Sequence, residues 1–130
     1  MLSNQIRPTD AQIAQLQSYP KNTPLVMLNI LKFKAQTDNT NETGLEAYQR
    51  YIKNATPFVE KAGAKLIWRG QVHNTVIGNS DNQPHLVFLV EYPSVDHFFA
   101  MVANPEYQKI GNDRSIALEF GGLMACQTVE

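Results

Sequence analysis

Residues 44–70 read GLEAYQRYIKNATPFVEKAGAKLIWRG, and they are the most informative segment for the fold. Just before it, Thr43 and Glu46 form a capping-box pattern, in which the two side chains satisfy each other's backbone amides at the start of a helix. Apolar residues then recur at helical spacing, and Gly63 suits the left-handed turn that ends a helix. The stretch therefore predicts an amphipathic helix followed by a strand over residues 64–77.

Apolar runs on either side of this stretch predict the remaining elements. Residues 25–33, LVMLNILKF, are apolar at nearly every position, which is typical of a strand buried on both faces. Residues 85–92 predict a third strand, which forms an antiparallel hairpin with the second through a turn over residues 78–84. Two helical pieces follow over residues 95–118, broken by Gly121 and Gly122. A last strand over residues 123–128 completes a βαββαβ order.

Three local features complete this outline. Pro57 should kink the long helix or end its first part, because proline lacks an amide hydrogen. The polar residues 34–43 predict a loop that could act as a lid. We expect residues 1–23 to form an N-terminal helical extension and residues 24–130 to form a single domain.

The composition limits the partners of the chain. It has 130 residues, with 11 basic and 12 acidic side chains and a net charge of -1. Such a charge gives no broad attraction to nucleic acid or to anionic membranes. No segment approaches the roughly 20 apolar residues of a membrane span, and the start lacks the apolar core of a signal peptide. We therefore expect a cytoplasmic protein with no nucleic-acid or membrane partner.

Metal-ligating residues show no characteristic pattern. His73, His85 and His97 lack the spacing of a metal site, and Cys126 is the single cysteine, so no internal disulfide can form. We expect no bound metal and no cofactor.

Two sets of polar residues could form a site on the sheet. Asn29 interrupts the apolar first strand, where an unpaired amide would cost on the order of 1–3 kcal/mol. It either makes a structural hydrogen bond or faces a ligand. Arg69 and Glu91 should oppose each other in the hairpin if its turn is centred near Ser80. They form either a plain cross-strand ion pair or a ligand site, with Arg69 binding a carboxylate or enolate.

Aromatic residues and a further arginine supply the other candidates. Tyr48 and Tyr51 lie at helical spacing, so they are either core residues or rings that pack on a flat substrate. Trp68 could pack on a substrate in the same way. It has the opposite strand parity from Arg69 and should face the other side of the sheet unless a bulge intervenes. Arg114, on the last helix, either closes a pocket or extends its charge to solvent.

Four separated segments, VMLNILKF, EAYQRYIKNATPFVEKAGAKLIWRG, VFLVEYPS and NPEYQ, resemble the domain-of-unknown-function 1330 family. That family belongs to the dimeric α+β barrel superfamily of ferredoxin-like folds. The resemblance covers about residues 24–123. It implies a four-stranded antiparallel sheet with helices on one face, and a homodimer in which two sheets close into a barrel. Related branches include cofactor-independent monooxygenases, haem-degrading enzymes, isomerases and small-molecule-binding or stress proteins.

The first strand supports the homodimer independently. Val26, Leu28 and Ile30 alternate with other apolar residues, so both faces of the strand need a cover, and a second subunit supplies one through the sheet face. We interpret the chain as a protein that binds a small organic molecule. Two hypotheses stay open: a cofactor-independent oxygenase or isomerase, and a non-catalytic ligand-binding, stress-response or structural homodimer.

Overall fold

The structure is a computed structural model that describes residues 6–39 and 41–130. Its four strands form one antiparallel sheet in the order β2-β3-β1-β4, and the predicted α+β, ferredoxin-like fold is confirmed. In chain order, the elements are α1 Asp10–Leu16, β1 Leu25–Phe33, α2 Gly44–Lys61, β2 Lys65–Gln71, β3 Leu86–Tyr92, α3 Val95–Ala103, α4 Pro105–Ala117 and β4 Leu118–Cys126.

Local signals set both ends of helix α2. The Thr43 hydroxyl accepts a hydrogen bond from the Glu46 amide at 3.1 Å, and the Glu46 carboxylate accepts one from the Thr43 amide at 2.9 Å. Gly63 adopts a φ of 75°, which lets the chain turn out of the helix without steric cost. Pro57 lies inside the helix, which continues to Lys61. The sequence predicted that Pro57 would either kink the helix or end its first part, and the helix does not end there.

The two faces of the sheet differ. Leu25, Met27 and Leu31 point from β1 toward the helices and belong to two buried clusters. Val26 and Leu28 alternate with them and point to the opposite face. One cluster lies under α2 and α4, and the other lies under α3, with Leu16 and Tyr19 of the N-terminal segment packed against it. The first five residues of the predicted N-terminal extension lie outside the described residues.

Strand β2 ends earlier than predicted. Residues 64–77 were expected to be extended, but the strand stops at Gln71. Further along, the Gln83 side-chain oxygen accepts hydrogen bonds from the amide and hydroxyl of Thr75, at 2.7 and 3.0 Å. The Gln83 side chain thus bonds to Thr75, where a longer hairpin would have formed hydrogen bonds between backbone groups.

Strand β4 begins earlier than predicted. Helix α4 ends at Ala117, and Gly121 lies inside the strand instead of ending the helix. A Cβ atom on Gly121 would lie 2.6 Å from an Arg114 Nη atom. The glycine therefore leaves room for the arginine to lie against the sheet.

Candidate functional site

The predicted pair of Arg69 and Glu91 does not form. Glu91 opposes Lys65, whose Nζ lies 3.5 Å from the Glu91 carboxylate. The register then shifts by one residue in the middle of β2, so that Arg69 opposes Phe88. Such a bulge reverses the alternation of side chains beyond it. Arg69 and Glu91 consequently lie on opposite faces of the sheet, and the predicted cross-strand contact is wrong.

Trp68 lies on the face of the sheet that points away from the helices. It opposes Leu89, and its ring covers Gly70, where any Cβ atom would overlap the indole. The side chain is 55 % exposed in the single chain. Trp68 and Glu91 therefore lie apart from the candidates under the helices, and the sequence-based expectation that Trp68 and Arg69 face opposite sides is met.

Asn29 lies on the helix-facing side of β1, directly opposite Phe88. Its amide nitrogen donates a hydrogen bond to the Met27 carbonyl at 3.2 Å. Its amide oxygen has no hydrogen-bond partner among residues 6–39 and 41–130. Asn29 therefore makes a structural hydrogen bond within its own strand and also carries an acceptor that bonds to no described residue.

Tyr48 and Tyr51 lie on the buried face of α2. The Tyr51 hydroxyl is 2.5 Å from the hydroxyl of Tyr107 on α4. Burial raises the pKa of both Tyr48 and Tyr51 above the ordinary value for tyrosine, because the charged phenolate would lose its hydration. The positive charge of Arg114 acts in the opposite direction on both pKa values but does not outweigh burial. These phenols are neutral at physiological pH.

Arg114 reaches from α4 toward strand β4. Its guanidinium donates to the carbonyls of Ile6 at 3.0 Å and Gly121 at 3.4 Å. Within the described part of the chain, no carboxylate forms an ion pair with it. A guanidinium stays charged and carries five donors. The two carbonyls therefore leave some donors of this half-buried group unpaired and do not neutralise its charge.

Two further tyrosines, absent from the candidates predicted from sequence, belong to the same region. Tyr107 lies two helical turns before Arg114, so a helical wheel of α4 places the two residues on one face. Tyr92 shares the strand parity of Phe88 on β3. Burial raises the pKa of Tyr92, and the nearby Tyr107 adds to that increase. Periodicity alone could have found both residues.

The hydroxyls of Tyr48 and Tyr92 are unpaired but not fully sealed from solvent. These residues are 4 % and 5 % exposed, and neither hydroxyl bonds to a described residue. Every described side-chain nitrogen or oxygen that is sealed from solvent does have a partner. Both hydroxyls therefore border space that a water-sized molecule can reach. Of the seven candidates, the structure brings together Tyr48, Tyr51 and Arg114, with Asn29 on the same side of the sheet. Arg69 shares that side but is exposed on the edge strand β2, whereas Trp68 and Glu91 lie on the opposite face.

Two surface clefts lie away from these residues. One, of about 610 Å³, runs between α1, α3 and α4 and includes Phe99. The other, of about 680 Å³, lies at the end of β1 and includes Lys34 and His85. Both are wide and open to solvent. We favour the region under the helices as the site, because the Asn29 oxygen and the Tyr48 and Tyr92 hydroxyls there bond to no described residue, and such unpaired polar groups mark places where another molecule binds.

The described residues contain neither a group of metal-binding side chains nor a helix that could span a membrane. No group of three or more His, Cys, Asp or Glu side chains in this part of the chain could hold a metal ion. Across the same residues, no helix is both long enough and apolar enough to cross a membrane.

The sheet topology and the helices on one face define a ferredoxin-like α+β protein. Residues 37–125 match the family described as domain of unknown function (DUF1330), and the chain belongs to that family. The crystal structure of RPA0582, a protein of unknown function from Rhodopseudomonas palustris, is 32% identical. The two chains superpose with a TM-score of 0.91 over 98% of this chain and 99% of the other.

More distant structures share the fold alone. A dabb family protein with a ferredoxin-like fold from Mesorhizobium loti is 11% identical, with a TM-score of 0.55 over 82% of this chain and 98% of its own. A dimeric protein of unknown function from Bacteroides fragilis is 12% identical, with a TM-score of 0.53 over 84% of this chain and 100% of its own. A comparison with curated proteins finds no significant match.

Proposed function

We propose that the protein binds a small organic anion, a carboxylate or an enolate, between the sheet and helices α2 and α4. One observation carries this proposal. The half-buried guanidinium of Arg114 has no carboxylate partner among the described residues and influences the pKa values of the buried phenols of Tyr48 and Tyr51. A charge in such surroundings is costly unless an opposite charge comes to it.

The remaining donors of Arg114 suit a carboxylate. A guanidinium presents its N–H groups in a planar fork that matches two carboxylate oxygens. The carbonyls of Ile6 and Gly121 hold the group in place without neutralising it. Phenol rings of Tyr48 and Tyr51 beside this fork favour a ligand with a flat apolar part, because such rings pack well on flat groups.

The tyrosines also bear on the choice between binding and catalysis. Burial raises the pKa values of Tyr48 and Tyr51, so these phenols donate hydrogen bonds but do not abstract protons near pH 7. We therefore favour the binding hypothesis. An oxygenase or isomerase is the second candidate, because neutral donors beside Arg114 would stabilise an enolate formed from an already acidic substrate.

We also propose a homodimer through the face of the sheet that carries Val26 and Trp68. Trp68 is 55 % exposed in the single chain, and the neighbouring apolar residues of β1 share its face. The B. fragilis structure is described as dimeric, although its low identity shows the fold alone. A second copy of the chain would remove this apolar surface from water.

Calorimetry with benzoate tests the binding proposal. We expect benzoate to bind the wild-type protein and to raise its melting temperature, because a ligand that binds only the folded state stabilises it. Arg114→Met should lose at least about tenfold in affinity, since it removes a charge-assisted hydrogen bond. Arg69→Met is the matched control and should bind benzoate as the wild type does, because Arg69 lies on the exposed edge strand.

Two results would contradict the proposal. One is a wild-type protein with no measurable affinity for benzoate, phenylacetate or phenylpyruvate. The other is an Arg114→Met variant that is folded by circular dichroism and retains full affinity. If Arg114→Met does not fold, Arg114→Lys retains the charge but not the planar fork, and it should bind benzoate more weakly than the wild type.

A further inference from the structure

The amide of Asn29 has a defined orientation. Its nitrogen donates to the Met27 carbonyl at 3.2 Å, and a carbonyl can only accept. This contact assigns the NH₂ group to the side of Met27 and leaves the amide oxygen on the other side. Asn29 shares the helix-facing side of β1 with Leu31, a member of the cluster that contains Tyr48. The oxygen is thus an unpaired acceptor beneath the helices.

Asn29 is a neighbour in the sheet of Gly121, the β4 residue that Arg114 contacts. Across β1 and β4, Asn29 opposes Leu123 and Leu31 opposes Gly121. Asn29 and Gly121 are therefore diagonal neighbours on one face, roughly 7–8 Å apart. An Arg114 Nη atom donates to the Gly121 carbonyl. The Asn29 side chain and the Arg114 guanidinium thus lie over neighbouring positions on the same face of the sheet.

We propose that Asn29 selects acids that also carry a hydroxyl or enol O–H. The carboxylate of such a ligand pairs with Arg114, and its O–H donates to the Asn29 amide oxygen. A plain acid of the same shape would shield that oxygen from water and leave it without a donor, which lowers affinity. This inference rests on the proposed function, because it names the residue that contacts the other end of the same ligand.

Matched ligand pairs test the role of Asn29. The probes are benzoate, 3-hydroxybenzoate and 4-hydroxybenzoate, each titrated into the full-length protein. We expect at least one hydroxybenzoate to bind about threefold to tenfold more tightly than benzoate, the range that one added hydrogen bond supplies. Asn29→Leu, of similar size, removes the acceptor and should abolish this preference, so that benzoate binds as tightly as either hydroxybenzoate.

Further variants separate the possible outcomes. Asn54→Leu, on the exposed side of α2, is the control and should retain the preference. Asn29→Ala removes the acceptor without adding bulk and replaces Asn29→Leu if that variant does not fold. Equal affinity of the wild type for all three probes would overturn the inference and leave the proposed function intact, as would a preference that survives in both Asn29 variants. No binding of any probe would overturn both.

Discussion

The buried tyrosines should make the stability of this protein depend on pH in the alkaline range. Burial raises the pKa values of Tyr48, Tyr51 and Tyr92, so these phenols stay protonated in the folded state at a pH where exposed tyrosines ionise. In the unfolded chain, the same residues titrate near pH 10. Above that pH the unfolded state binds fewer protons than the folded state, and the free energy of unfolding falls as the pH rises.

We therefore predict a steep loss of stability above about pH 10 that depends on these tyrosines. Each tyrosine contributes a slope of about 1.4 kcal/mol per pH unit while only its unfolded form is ionised. Tyr48→Phe removes one of these ionisable hydroxyls and should reduce the alkaline slope by about that amount. The Tyr48 hydroxyl bonds to no described residue, so the substitution breaks no described hydrogen bond. Urea unfolding measured from pH 8 to pH 11 checks this. An unchanged slope would mean that Tyr48 titrates normally in the folded protein.

The candidate residues show what a sequence can reveal at this scale. Asn29 is conspicuous because the residues around it are apolar, and Tyr48 and Tyr51 follow from helical spacing. The pairing of Arg69 with Glu91 failed because the hairpin is not centred at Ser80, so that Glu91 opposes Lys65, and because a bulge of one residue then puts Arg69 on the other face. The partners of Arg114 are carbonyl groups, which depend on the tertiary fold and leave no pattern in the side chains.

For helices and strands too, ends set by neighbouring residues were predicted, and ends set by distant contacts were not. Helix α2 begins and ends at the predicted residues because caps are local interactions between neighbours in sequence. The start of β4 at Leu118 was missed because the two glycines suggest a break. In the folded chain, Gly121 provides space for Arg114 instead. The ends of elements that depend on distant contacts could not be predicted from local sequence.

The junction between β1, α2 and α4 gives an element-scale prediction. The Gly44 amide donates to the Lys34 carbonyl, and the Lys34 amide donates to the Ala117 carbonyl. A Cβ atom on Gly44 would lie 2.6 Å from the Lys34 nitrogen and still closer to both oxygens. Gly44→Ala should therefore lower the free energy of unfolding by more than about 2 kcal/mol, because backbone atoms must move.

A second glycine provides the control for this prediction. A Cβ atom on Gly111, inside α4, would meet nothing within 4 Å. Gly111→Ala should raise the free energy of unfolding by roughly 0.5–1 kcal/mol, because alanine favours the helix. Urea unfolding compares the two variants. Equal effects in both would show that the tight junction at Gly44 does not exist in solution.

For the whole molecule, the exposed face of the sheet predicts association. Trp68 is the single tryptophan of the chain, so its fluorescence reports on that face alone. We expect light scattering to give twice the chain mass of 14.6 kDa, and tryptophan emission to shift to the red on dilution as the indole meets water. Ile30→Asp, on the same face, should favour the monomer because the new charge would be buried.

A charge placed elsewhere controls for general destabilisation. Ile52→Asp puts the same group on the exposed side of α2 and should leave the dimer intact. A wild-type protein that is monomeric across a dilution series would overturn both the dimer and the barrel. If both aspartate variants dissociate equally, the sheet face is not the interface.

The proposed site holds an organic anion under the helices, with its carboxylate on Arg114. A crystal structure of the protein with 4-bromobenzoate would test this binding mode, because the anomalous signal of bromine locates the ligand independently of the protein coordinates. We predict one bromine site between the sheet and helices α2 and α4, with the carboxylate within hydrogen-bond distance of Arg114. Bromine found only in the surface clefts or on the exposed sheet face, with the space beside Tyr48 filled by side chains, would contradict the claim.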